Sequence, residues 1–305
     1  MSHRGPLRSL LFVPGDSERK QAKALTSGAD ALILDLEDSV AATQLPAARA
    51  QVRQFLSANS GSASQRWVRV NGPASGLLVD DAAAVIGGRP EGIVLPKVSS
   101  AAEVAQISKL LADLEAKSGL DVGSTRLIVI ATETPLALLK LGEYVAGTPG
   151  LERLAALTWG MEDLSAALGA SAKTEADGSL TPVFELARSL CLVAAAAAVV
   201  QAIDGVHADF RDTAGLTRDA ARARRDGFTA KLAIHPDQVP IINAAFSPSA
   251  AEVARARRIV AAFAASPGTG VTSLDGQMLD RPHLVLAQRV LELSSRIGID
   301  QKRDR

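Results

Sequence analysis

The sequence predicts an α/β protein: a (β/α)8 TIM barrel with a C-terminal helical extension acting as a lid. Three observations carry that prediction. Eight apolar, β-like runs recur along the chain with helix-like segments between them. The runs are apolar throughout rather than alternating, as expected of a parallel sheet buried on both faces. Their carboxyl ends carry many acids and a few cations, and it is there that such barrels gather their chemistry. The 305 residues suit one barrel of this kind. A doubly wound sheet fits less well, because no Gly-rich fingerprint follows the first run. The expected division is residues 1–248 for the barrel and 249–305 for the extension.

Taken in order, the first strand is Ser9 to Val13, closed by Pro14-Gly15-Asp16. Asp16 or Ser17 is placed to cap the helix that follows, Glu18 to Leu25. The second strand, Ala31 to Leu34, delivers Asp35-Leu36-Glu37-Asp38, and a helix over Pro46 to Leu56 comes next. The third, Trp67 to Val70, ends at Asn71-Gly72-Pro73, and the fourth, Gly92 to Leu95, ends at Pro96-Lys97. Ser100 caps an amphipathic helix, Ala102 to Lys117. The fifth strand is Leu127 to Ala131, the sixth Leu154 to Trp159, the seventh a weak Ala202 to Val206, and the eighth Ala230 to Ile234 before His235-Pro236. Two helical segments follow, Ala250 to Ala265 and His283 to Ile297, joined by a flexible Gly/Pro stretch from Ser266 and an apolar-acidic turn. A barrel needs no such extension to close, which is why it reads as a cover for a site on its own barrel or a neighbour's.

Composition narrows the function. Acidic and basic residues balance at 33 each, so no basic field argues for nucleic acid. A single cysteine, Cys191, excludes an internal disulfide framework and fits a reducing compartment. Met1 to Pro6 is polar and is followed by no secretory core. The longest apolar stretch, Leu190 to Val200, is well short of the roughly 20 residues a bilayer demands. A cytoplasmic, membrane-free protein is expected.

Two strand ends stand out. The run ending in Thr132-Glu133-Thr134-Pro135 and the run ending in Gly160-Met161-Glu162-Asp163 each deliver an acid just past a buried strand. If these ends are neighbours, Glu133 and Asp163 converge as an oxygen site for a divalent cation; the alternative is a salt-bridge network on the barrel rim. Glu162, beside the second acid, is expected to point away. Arg69 sits one residue from a strand end and needs a partner there, either a substrate or an ion pair with Asp35 or Glu37. Glu37 and Asp38 are placed either to hydrogen-bond metal waters or to hold Arg69. Lys97 reads as a structural ion pair or, less readily, a Schiff-base lysine, and His235 as a hydrogen-bonded spacer.

The same residues carry a resemblance. Arg8 to Gly15, Leu34-Asp35-Leu36-Glu37-Asp38, Arg69-Val70-Asn71, Leu95-Pro96-Lys97, Glu133-Thr134-Pro135, Gly160 to Leu164 and Ile234 to Gln238 stand in the order found in citrate lyase β-subunit-like proteins. That group includes malyl-CoA, citramalyl-CoA and citryl-CoA lyases and related thioesterases. Two departures are Thr43-Gln44-Leu45, where the family usually has a lysine, and Ala230-Lys231 for Gly-Lys.

The resemblance implies a Mg²⁺-dependent lyase splitting a β-hydroxyacyl-CoA into an acyl-CoA and a 2-oxo acid, or running as synthase or thioesterase. It implies Mg²⁺ on Glu133 and Asp163, with Gly160, Met161 and Glu37 around the substrate. Arg69 would act on the substrate carboxylate or thioester oxygen. Asp275, in the Leu274-Asp275-Gly276 turn, would be an acid/base reaching a neighbouring subunit, unless it is only a turn residue. Pro236 would lie beside CoA, and Arg8, Arg19 and Lys23 are candidates for its phosphates. A homotrimer, or a hexamer, with exchanged lids is expected. The alternatives are a metal-dependent aldolase of free 2-oxo acids without CoA and a non-catalytic subunit of a lyase complex.

Overall fold

The computed structural model describes residues 7–265, 268 and 270–297. It separates into two compact units, Leu7–Ile242 and a C-terminal unit from Asn243 onward.

The first unit is a closed barrel of eight parallel strands in sequence order. They are β1 (Ser9–Pro14), β2 (Ala31–Asp35), β3 (Gln65–Arg69), β4 (Gly92–Leu95), β5 (Arg126–Ile130), β6 (Leu154–Thr158), β7 (Gln201–Asp204) and β8 (Ala230–Ala233). Closure comes from β1 on β8, with Ser9 opposite Lys231 and Leu10 opposite Leu232. The predicted fold and all eight predicted strands are therefore present, with ends shifted by one or two residues. The reason the runs are apolar throughout is visible in the packing. Leu10, Ile33, Trp67, Ile128 and Ile203 fill the barrel interior, while Leu11, Leu32, Val68 and Leu127 are equally buried outside that cluster. A strand with two buried faces has no use for alternation.

The helices follow local signals. Ser100 accepts a hydrogen bond from the Glu103 N–H and opens the helix Ala101–Lys117, as predicted. The helix Glu18–Ala24 does start after an extended Ser17, but without any side-chain cap bond. The alanine-rich run lies within the helix Pro182–Ala198, where Cys191 is buried and its thiol pKa is pushed up by the loss of water. Among the described residues no helix is long and apolar enough to cross a membrane.

The C-terminal unit contains the helices Ala250–Ala264 and Arg281–Arg296, held together by Ile259, Leu279 and Ala287 with Phe263 and Leu291 against them. Between the helices the sequence suggested a joint and a turn. Ser266, Pro267 and Thr269 of that joint lie outside the described residues, as does Met1 to Pro6. From Val271 the chain forms an antiparallel hairpin, β9 (Val271–Leu274) and β10 (Gln277–Asp280). Its two-residue loop is Asp275-Gly276, with both residues left-handed at φ 53° and 75°. An Asp-Gly pair is the sequence signal for that tight turn.

Candidate active site

The site is built where β5 and β6 end. Ile130 lies opposite Thr158 in the ladder, and Ala131 N–H donates to the Thr158 carbonyl at 2.8 Å. The segments beyond these residues therefore leave the barrel side by side. Thr132 ties them together: its hydroxyl accepts from Gly160 N–H at 3.1 Å and lies 3.3 Å from the Gly160 carbonyl oxygen. A methyl group on Gly160 would press against the Glu133 Cγ and Ile130 Cγ2, each at 3.3 Å. Glycine here lets the two acid-bearing turns approach. Glu133 and Asp163 line one cavity of about 110 Å³, together with Arg69, Trp159, Gly160 and Met161.

Glu133 is 4% exposed. Among the described residues its hydrogen bond comes from the Lys97 backbone N–H, to Oε2 at 2.5 Å. Burial pushes its carboxyl up to about 8, and the Asp163 and Glu37 charges push the same way. The Lys97 N–H and ammonium pull the other way but do not outweigh these effects.

Across the mouth, β2 and β3 supply a denser ion cluster. Arg69 binds Asp35 through Nε and Nη2, both at 2.7 Å. Its Nη1 lies 2.9 Å from Glu37 Oε2 and 3.4 Å from Asp38 Oδ2. The first of these contacts lacks hydrogen-bond geometry, so Glu37 Oε2 has no hydrogen-bond partner. Burial works against the Arg69 charge, but its acidic partners outweigh this and raise its pKa. For Asp35, burial is likewise outweighed, by Arg69 and nearby donors, and the pKa falls. Glu37 goes the other way: desolvation exceeds the pull of Arg69 and Lys97 and raises it. The guanidinium also sits over the Phe12 ring, 4.8 Å from its centre. Both expectations for Arg69 are therefore compatible with the structure. It is ion-paired with Asp35 and Glu37, and it faces the cavity.

Lys97 joins the two halves. Its ammonium ion-pairs with Glu37 and lies 3.3 Å from both Asp38 Oδ1 and Asp163 Oδ1. Burial would lower its pKa, yet these three carboxylates raise it. A lysine held protonated in this way is a poor Schiff-base nucleophile. Its backbone is left-handed, φ 56°, a conformation that costs a non-glycine residue about 1–2 kcal/mol. Glu162 forms an ion pair with Lys173 and is largely exposed.

The donor set suits a hard divalent cation. Among the described residues no group of three or more His, Cys, Asp and Glu side chains is arranged to hold a metal. Two carboxylates, one of them buried and short of positive charge, are what an ion such as Mg²⁺ uses when water and substrate oxygens complete its shell.

Beside the first cavity, and sharing Phe12 with it, is a second of about 390 Å³ bordered by Arg19, Lys20, Lys23, His235 and Pro236. His235 accepts from the Asp237 N–H at 3.3 Å and stacks on Phe210, with ring centres 4.5 Å apart. These contacts are those of a hydrogen-bonded spacer, and the same ring borders the cavity. Arg8, by contrast, is fastened to Asp30 through Nε and Nη2, at 2.9 and 2.8 Å. Asp275 belongs to the C-terminal unit, where it is half exposed and paired with Arg258.

The model of one protein family, described as HpcH/HpaI aldolase/citrate lyase, matches residues 8–236. The chain belongs to this family. Among relatives of the same length is a (3S)-malyl-CoA thioesterase of Cereibacter sphaeroides, 35% identical over 301 residues, covering 98% of each chain. The citrate lyase subunit beta of Escherichia coli K12 is also 35% identical, over 97% of this chain and 95% of its own. A solved relative is CitE from Mycobacterium tuberculosis in complex with magnesium, acetoacetate and coenzyme A. It is 33% identical with a TM-score of 0.77, and the match covers 97% of this chain and 100% of that one. The resemblance read from the motifs is borne out. The family match ends at Pro236, but the relatives align across the C-terminal unit as well.

The residues that sequence reasoning missed here are Thr132 and Trp159. Thr132 stands next to the acid and carries no charge to mark it. Trp159 was assigned to the end of β6, which stops at Thr158.

Proposed function

We propose that this chain is a Mg²⁺-dependent carbon–carbon lyase that splits a β-hydroxyacyl-CoA into an acyl-CoA and a 2-oxo acid. The observation that carries this reading is the pair Glu133 and Asp163, brought by adjacent strands to one cavity that Arg69 also faces. The solved CitE relative, with magnesium, acetoacetate and coenzyme A, supports the same assignment of metal and ligands.

In this reading Glu133 and Asp163 hold the cation, and Gly160 and Met161 form the turn against which the oxo-acid end rests. When bound, the cation supplies Lewis-acid stabilisation to the oxygen that becomes the new carbonyl. Cleavage moves the bonding electrons toward the thioester carbonyl, where negative charge develops. Arg69, clamped by Asp35 and Glu37, offers a positive charge already fixed in place. Asp275 would deliver a proton to the carbon released from the broken bond, balancing the hydroxyl proton given up to water as the new carbonyl forms. It would act from the C-terminal unit of a neighbouring subunit, in a homotrimer or hexamer. The exposed apolar row Val183, Leu186, Leu190 and Val193 on one helix supports such assembly. CoA would lie in the basic cavity beside Arg19, Lys23 and Pro236.

The test is incubation with malyl-, citramalyl- and citryl-CoA, with and without EDTA, scored for the 2-oxo acid. No metal-dependent turnover of any of them rejects the reading. The likeness to a (3S)-malyl-CoA thioesterase favours a second reading, hydrolysis of the thioester, which would release free CoA and a hydroxy acid instead. An aldolase of free 2-oxo acids would gain no thermal stability from CoA, whereas a CoA enzyme would.

A further inference from the structure

Trp159 forms part of the wall of the first cavity, and its indole is held by a chain of buried polar contacts. Trp159 is 4% exposed. Its Nε1–H donates to Asp204 Oδ1 at 2.8 Å. Asp204 closes β7 and is itself buried, between Lys231 Nζ at 2.7 Å and Arg188 Nε at 3.1 Å. Arg188 is in turn paired with Asp226 at 2.7 Å. A buried aspartate bound to two cations and an indole is fully occupied, and a buried pair of this kind serves best to fix geometry.

The other face of the indole is closed by backbone. A methyl group on Gly205 would lie 3.2 Å from Trp159 Cε2 and Nε1. The ring is therefore held at its Nε1 edge and packed against a glycine.

Acids outnumber cations in the lining of this cavity. Of the described residues lining the cavity, Arg69 is the one cation, and Asp35 and Glu37 already match it. The acids Asp38, Glu133, Glu162 and Asp163 line the same space. Gly205, which packs on Trp159, and Val206 and Leu232 also line the cavity and offer no donor side chain. In the lyase reading, a 2-oxo acid whose carboxylate and oxo group face the metal held by Glu133 and Asp163 would have Trp159 among the residues left for its remaining substituent. A hydrogen or methyl group fits there without loss. A second carboxylate there would be desolvated against an indole, and the one cation in the lining, Arg69, is already paired with Asp35 and Glu37.

We propose that Trp159, positioned by Asp204, is the specificity wall of the site, and that it selects 2-oxo acids with an uncharged third position, such as pyruvate or glyoxylate, over dicarboxylic ones such as oxaloacetate. The inference rests on the lyase reading above, and its test separates the two.

The full chain loaded with Mg²⁺ is titrated calorimetrically with pyruvate, glyoxylate and freshly dissolved oxaloacetate, the decarboxylation of the last being followed alongside. Indole fluorescence is recorded in parallel. The chain has two tryptophans, and of these only Trp159 is among the described residues lining the cavity, so a ligand-dependent change is assigned to it and checked by its loss in Trp159→Phe. Pyruvate or glyoxylate is expected to bind at least about tenfold more tightly than oxaloacetate and to change the fluorescence. In Trp159→Phe, which keeps a ring but loses the bond to Asp204, the ratio should fall to about threefold or less. Asp204→Asn should reduce it as well, provided the variant folds.

Oxaloacetate binding as tightly as pyruvate overturns the wall and leaves the lyase reading intact. An unchanged ratio in Trp159→Phe overturns the role of the indole. Failure of every oxo acid to bind removes both readings together.

Discussion

Glu115 and Glu133 are two buried glutamates at opposite ends of the same pair of strands. Glu115 is 0% exposed and Glu133 4%, yet their protonation goes in opposite directions. At the amino-terminal end of β5 and β6, Glu115 receives both terminal nitrogens of Arg153, at 2.8 and 2.7 Å, and the N–H groups of Gly123 and Thr125. Burial pushes its carboxyl up, but these donors outweigh it and bring it down to about 2. At the carboxyl-terminal end, Glu133 has the Lys97 N–H and like-charged neighbours, and it is pushed up to about 8. Burial alone therefore tells little about the role of an acid. An acid met by a cation and several donors holds the fold together, whereas one buried among other acids is a candidate for function.

The largest expected effect tests the second half of this contrast. Glu133→Gln, in the lyase reading, should lower turnover by about 10³-fold or more, since a metal contributes several kcal/mol of charge stabilisation. The same variant should be at least as stable as the parent without metal, and Mg²⁺ should no longer raise its thermal midpoint. A parent-like response to Mg²⁺ would show that this glutamate is not a ligand.

Glu115→Gln probes the other end. It strands the Arg153 charge in the interior and should cost about 3–5 kcal/mol in denaturant unfolding, while turnover per folded molecule stays at the parent level. Little destabilisation would mean that the saturated glutamate is not the clamp described here.

Asp275→Asn is expected to reduce turnover by about 10²-fold with its melting temperature unchanged, because Asn tolerates the left-handed turn as Asp does. Full activity in this variant would assign Asp275 to the turn alone.

The smallest effect lies in the pH dependence. The Glu115 carboxyl is depressed, so its stabilisation is present above the usual carboxylate value, about 4.3, and is lost only as pH falls toward about 2. The Glu133 carboxyl is raised, so the metal-free fold keeps a proton that the unfolded chain has released. That contribution is present below about pH 4.3 and fades as pH rises through about 8. Thermal scans across this range should show a decline toward alkaline pH that Mg²⁺ removes. A flat profile without metal would contradict the raised value.

Much of the barrel was legible because its determinants are local. Runs such as Ala31 to Leu34 and Leu127 to Ala131 are buried on both faces and read as uninterrupted apolar strings. Ser100 followed by Glu103 marked a cap that the structure contains. The acids past β5 and β6 were legible for the same reason, since chain order alone brings neighbouring strand ends together in a barrel. What was hidden depends on pairs distant in sequence. Asp204 lies within the weak seventh run, nothing near it in the chain points to Arg188 or Trp159, and that weakness obscured its register with Lys231. The hairpin β9–β10 was missed for a different reason. Its strands are only four residues each and mostly exposed, so the apolar signal is thin, and the Asp-Gly pair was read as a turn without its flanks.

The left-handed backbone at Lys97 has a consequence of its own. Glycine would adopt that bend without strain, yet the chain keeps a lysine there. Its main chain answers one acid, Glu133, while its side chain answers three others, so a single residue bridges the second strand's carboxylates to those of the fifth and sixth. A relaxed bend at this position would free the backbone and, in the same stroke, unlink the two halves of the mouth.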